Sequence, residues 1–109
     1  MLPKKYRLAA KDFRYVYSNG VKFRGKYGML VASSSNRTKF GFVVSKKVGN
    51  AVQRHRMTRL LRVISMELVK QYTLDGIKLN FEYIAFLFCD NYSELKSELE
   101  LQLKSAIKR

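Results

Sequence analysis

The chain is short of the side chains from which most protein active sites and metal centres are built. In 109 residues it has one cysteine, one histidine, one proline, no tryptophan and eight acids. With Cys89 alone no internal disulfide can form, and Cys89 plus a single His55 cannot make a Cys/His zinc site. Cys89 ends an apolar run and reads as a buried, inert thiol, consistent with a reducing compartment. No acid lies near His55 in sequence to orient it as a general base. Gly20, Gly25, Gly28 and Gly41 follow no dinucleotide-binding pattern, and no Gly-rich stretch ends in a phosphate-binding lysine. No paired carboxylates suggest two-metal cleavage of phosphodiesters. No apolar run approaches the length that spans a bilayer, and the opening Met-Leu-Pro-Lys-Lys-Tyr-Arg lacks the apolar core of a secretory signal. The cytoplasm is the expected compartment. No catalytic residue and no protein-borne metal are expected.

What the chain has is positive charge. Its formal net charge is +14, and the distribution is uneven. Residues 1–66 hold sixteen Lys or Arg against Asp12 alone, whereas residues 67–109 hold six against seven acids. Such an excess implies an anionic partner and salt-sensitive binding. It peaks at residues 46–62, where Lys46, Lys47, Arg54, Arg56, Arg59 and Arg62 surround His55 with no acid among them. Gly49-Asn50 reads as a tight turn, Asn50 as a helix N-cap and Gln53 as the return arm of a capping box. At helical spacing Met57, Leu60, Leu61, Ile64 and Leu68 form one apolar stripe. His55, Arg59 and Arg62 stand at i, i+4, i+7 on another face, with Arg54 and Thr58 beside them and Arg56 on a flank. Like charges at this spacing repel. A solvated charged face is the ordinary explanation of a charge run. A single-signed run that opens on outward-pointing backbone N–H groups points instead to nucleic acid.

The remaining elements frame that helix. Residues 1–8 read as an irregular basic lead-in, with Pro3 disfavouring helix before it. Ala9 to Ser18 predicts a short helix stopped by Asn19-Gly20. Its Phe13 and Tyr17 fit either core packing or the wall of a groove for single-stranded nucleic acid. Val21 to Ala32 reads as extended and broken near Gly25, with Phe23, Tyr27, Met29 and Val31 alternating against Lys22, Arg24 and Lys26. Lys39 to Ser45 is a strand with Phe40, Phe42 and Val44 on one face. The basic helix runs to about Lys70, Gln71 to Glu82 reads as a loop turning at Asp75-Gly76, and Tyr83 to Phe88 as a buried strand. Asp90 to Ser93 offers N-caps for a last helix to Ile107. That helix has Leu95, Leu99, Leu103 and Ala106 on one side and Lys104, Lys108 and Arg109 at its end, and its near-neutral balance suggests scaffold. The order is helix, strands, basic helix, strand, helix: one domain over residues 1–109, of α+β class, an α–β sandwich with a single central sheet and one core.

The run Phe-Val-Val-Ser-Lys-Lys-Val-Gly-Asn-Ala-Val-Gln-Arg-His-Arg-Met-Thr-Arg-Leu-Leu-Arg resembles the signature of the bacterial ribonuclease P protein subunit. The resemblance extends to the early Asp12, Phe13, Val16, Tyr17 and Gly20 and to the late strand and helix. His55 stands where that family usually has Asn, and Thr58 where a Lys is usual. The resemblance implies a left-handed β–α–β crossover through the basic helix, where general rules predict the right-handed form. It implies a protein that partners a catalytic RNA in removing the 5′ leader from precursor tRNA. Hydrolysis falls to the RNA subunit with Mg²⁺, and no protein oligomer is required. Lys46, Lys47, Arg54, His55, Arg56, Arg59 and Arg62 would contact the RNA, while Phe13 and Tyr17 with the sheet face would line a leader cleft. The alternative with the same composition is a small RNA-binding module, such as a ribosomal protein or RNA chaperone.

Overall fold

A computed structural model describes residues 4–108, the Asp75 side chain excepted, so the expectations for Pro3 and Arg109 lie outside it. Four strands form one mixed sheet in the order β1-β2-β4-β3, with β1 Val21–Arg24, β2 Gly28–Ser34, β3 Lys39–Val43 and β4 Leu79–Ala85. β1/β2 and β2/β4 are antiparallel; β3 and β4 are parallel neighbours joined through α2 (Ala51–Tyr72). The other helices are α1 (Phe13–Asn19) and α3 (Tyr92–Lys108).

The helices divide between the two faces of the sheet. Met57, Leu61, Ile64 and Leu68 of α2 and Leu95, Leu99, Leu103 and Ala106 of α3 pack on Leu30, Ala32, Phe40, Phe81 and Tyr83 to form the main core. The opposite face carries a second, smaller cluster of Leu8, Val16, Met29 and Val31, with Phe13, Ile84 and Phe86 against it. The single core expected from sequence is therefore two. β2 is buried on both faces, so it shows none of the half-buried alternation expected of it. The expected single face of Phe23, Met29 and Val31 also divides. In the antiparallel register Phe23 lies opposite Leu30, so it joins the main core while Met29 and Val31 point the other way.

Boundaries differ where polar residues interrupt an apolar pattern. The first helix opens as a 3-10 turn at Ala10–Asp12 before α1 begins. The lead-in is not irregular: Tyr6 and Leu8 are buried, and the Leu8 N–H donates to the Phe40 carbonyl at 2.7 Å, docking the segment on β3. Gln71 to Glu82 is not a loop. α2 continues to Tyr72, Thr73 ends it in the left-handed region (φ 52°), a 3-10 turn covers Leu74–Gly76, and β4 begins at Leu79. β4 ends at Ala85, earlier than Phe88, because its partner β2 begins at Gly28, opposite Ala85.

α3 is tied to the β1–β2 hairpin. The Glu98 carboxylate accepts the backbone N–H groups of Lys26 (2.6 Å), Tyr27 (3.1 Å) and Gly28 (3.2 Å) and the Tyr83 hydroxyl (3.1 Å). One turn on, Gln102 Nε2 donates to the carbonyls of Phe23 (2.9 Å) and Gly28 (3.0 Å).

Candidate nucleic-acid interface

α2 is held at its start by the expected capping box. Asn50 Oδ1 accepts the Gln53 N–H at 2.9 Å, and Gln53 Oε1 accepts the Asn50 N–H at 3.0 Å. Those bonds occupy two of the N–H groups that the sequence suggested for phosphate, which narrows that site to the first turn's remaining amides. The turn itself closes earlier than Gly49-Asn50, through Val48 N–H to the Ser45 carbonyl at 3.0 Å, with Val48 buried in the core. Lys46 and Lys47 sit in that turn with exposed side chains.

Burial of the apolar stripe turns the cations outward. His55, Arg56 and Arg59 are exposed, and Arg54 and Arg62 are half-buried. His55, Arg59, Arg62 and Val63 line one concavity. Among the described residues no ion pair or side-chain hydrogen bond engages His55, Arg59 or Arg62. Arg56 does have a partner, Asp90 at 3.5 Å, both side chains about half exposed. Arg54 Nε is buried without a partner. Thr58, at the position of the family's usual Lys, folds back to donate to the Arg54 carbonyl at 2.8 Å, so it serves the helix rather than the charged face.

Arg62 also belongs to a second feature. It lines a groove of about 120 Å³ with Arg7, Leu8, Phe13, Phe40, Gly41 and Phe42, at the outer edge of β3 where the lead-in docks. The Phe13 ring lies directly over Gly41, where any Cβ would collide with it. The groove therefore joins the basic helix on one face of the sheet to α1 on the other. Tyr17 is 46% exposed, and the Lys22 ammonium stands 4.6 Å from its ring centre while bonding the Tyr17 carbonyl. The sheet face between Phe13 and Tyr17 is not an open floor, however. Val16 and Leu8 pack there with Val31 and Met29, and the concave feature beside Phe13 is the groove at the β3 edge. Arg7 was missed from sequence. The alternation of buried Tyr6 and Leu8 around it was the available signal. Arg24 was missed as well; it stacks 4.8 Å above Phe86, a partner distant in sequence.

Comparison with known proteins decides the family. The model of the ribonuclease P family matches residues 2–106. The chain belongs to the ribonuclease P protein family. It is 38% identical to the ribonuclease P protein component of Pseudanabaena sp., over 97% of this chain and 95% of that one. With that of Lachnoclostridium phytofermentans it shares 36% identity, covering 83% and 78%. The fold agrees. The ribonuclease P protein of Staphylococcus aureus superposes with a TM-score of 0.70 at 26% identity, over 98% of this chain and 93% of that one. That of Thermotoga maritima gives 0.72 at 16% identity, over 94% and 96%. Ribonuclease P proteins are components of a ribonucleoprotein endoribonuclease, so the partner of this chain is an RNA subunit. No helix among the described residues is long and apolar enough to cross a membrane.

Proposed function

We propose that this chain binds the catalytic RNA of ribonuclease P through the outward face of α2 and guides the single-stranded 5′ leader of precursor tRNA into the groove at the β3 edge. The observation that carries this is Arg62, which lines both the basic concavity and the groove that ends on Phe13. The exposed Lys46, Lys47, His55, Arg56 and Arg59 and the half-buried Arg54 supply phosphate contacts to the RNA subunit. Phe13, half-buried, and Tyr17, exposed, present ring faces to a leader, a mode indifferent to its base sequence. Hydrolysis is assigned to the RNA subunit with Mg²⁺. The donors on this chain fit a resident metal poorly. The described residues contain no group of three or more His, Cys, Asp or Glu that could hold one. The cytoplasm is the proposed compartment, and the protein acts without a protein oligomer.

The test is reconstitution. Adding the protein to ribonuclease P RNA at low Mg²⁺ is expected to stimulate leader removal. Phe13→Ala is expected to lose that stimulation in proportion to leader length, with tRNA lacking a leader bound as before. Absence of stimulation at protein excess would favour the RNA-chaperone reading. Cleavage by protein alone would overturn the assignment of the chemistry to RNA.

A further inference from the structure

The only histidine of the chain occupies the centre of its most basic surface. His55 is exposed, shares a concavity with Arg59 and Arg62, and has no hydrogen-bond or ion-pair partner among the described residues. The charged groups around it are of one sign. Arg59 and Arg62 face the same concavity, Arg54 and Arg56 flank it on the helix, and Arg7 of the lead-in segment follows along the surface beside Arg62. Asp90, the acid that meets this helix, is held by Arg56 at 3.5 Å. A phosphate seated among the same arginines favours the protonated imidazole and offers the new N–H an acceptor.

We propose that His55 is a proton-linked phosphate contact: RNA entering the concavity shared with Arg59 and Arg62 is bound together with one proton, taken up by the His55 imidazole. This rests on the RNA-binding reading of α2 given above. Because the complex holds the proton more tightly than the free protein, affinity is greatest below the ordinary imidazole range and falls as pH rises through it. Arg59 and Arg62 bind phosphate at every pH. His55 adds a contact whose strength follows proton concentration within the range of cellular pH.

The experiment measures affinity for transcribed ribonuclease P RNA from about pH 5.5 to about pH 7.5 with wild type, His55→Asn and His55→Lys. Wild-type affinity is expected to rise severalfold toward the acidic end, bounded at about tenfold per pH unit for one proton. His55→Asn should follow only the shallow slope of the RNA itself. His55→Lys should bind at neutral pH as wild type does in acid. At the acidic end the wild-type salt slope should be steeper than that of His55→Asn by about 0.7. Parallel pH profiles for wild type and His55→Asn, with RNA bound by both, would overturn this proposal and leave the RNA-binding reading standing. Failure of all three proteins to bind at any pH would overturn both.

Discussion

Arg62 is where the two halves of the proposed interface meet. Arg62→Ala is expected to weaken RNA binding by about 1 kcal/mol or more, and Arg59→Ala by a similar amount, with the urea midpoint little changed because neither side chain has a hydrogen-bond or ion-pair partner among the described residues. Equilibrium binding beside denaturant unfolding checks both. These two arginines were legible in the sequence because helical spacing is a local property, and one buried stripe fixes where the opposite face points. Arg7 and Arg24 were not, because their partners Phe40 and Phe86 come from elsewhere in the chain. Glu82 is the opposite case, an ionisable side chain hidden rather than displayed. It is 4% exposed on the α1 side of the sheet between Val31 and Gly41, and its Oε1 has no partner. Burial raises its carboxyl above the ordinary range, and the Lys22 charge opposes this in part. The folded state thus holds that proton to a higher pH than the unfolded chain does. The contribution of Glu82 to stability is full below the ordinary carboxylate range and is lost as pH rises through the raised value. Glu82→Gln is therefore expected to stabilise the protein near neutrality and to lose that advantage in acid, as urea unfolding at the two pH values would show.

At the level of elements, α3 does more than cover the sheet. Glu98 is the acceptor for three consecutive N–H groups of the β1–β2 turn, and Gln102 supplies the donors for two of the hairpin's carbonyls. Truncation strands those backbone groups. Glu98→Ala is expected to cost about 2 kcal/mol and Gln102→Ala about 1 kcal/mol, read from denaturant midpoints. Asn50→Ala, which opens the capping box of α2, is expected to cost about 1 kcal/mol. The capping box was visible in the sequence since Asn50 and Gln53 lie three residues apart. The Glu98 clamp joins residues some seventy positions apart, so Glu98 looked like an ordinary acid in the first half of a helix. The same distinction explains the strands. Phe40, Phe42 and Val44 were rightly placed on one face, toward the main core, although the strand ends at Val43 rather than Ser45. Asn80 and Glu82 gave the start of β4 the look of a loop, although α1 covers that side of the sheet. β2 carried no alternation at all, because helices lie on both of its faces.

Across the whole molecule, charge is separated by use. The acids of the last two-fifths are largely spent internally: Glu98 on the hairpin, Glu67 on Tyr92 and Lys96, Glu100 on Tyr72 and Lys104. They do little to neutralise the surface that runs from α2 around the β3 edge. If six cations of that surface meet phosphates of irregular or single-stranded RNA, log affinity should fall with log salt at a slope of about −4. One acid interrupts the pattern. Asp90, in the connection between β4 and α3, holds Arg56 at 3.5 Å, and on the proposed reading RNA has to compete with it for that guanidinium. Asp90→Asn removes the competitor without removing a cation. Because both partners are about half exposed, the pair contributes less than about 1 kcal/mol to folding, so the variant should stay folded. RNA affinity should then increase, and the salt slope should steepen toward the value for six fully available cations. An unchanged slope with unchanged affinity would mean that Arg56 takes no part in holding the RNA, which then rests on the remaining five cations.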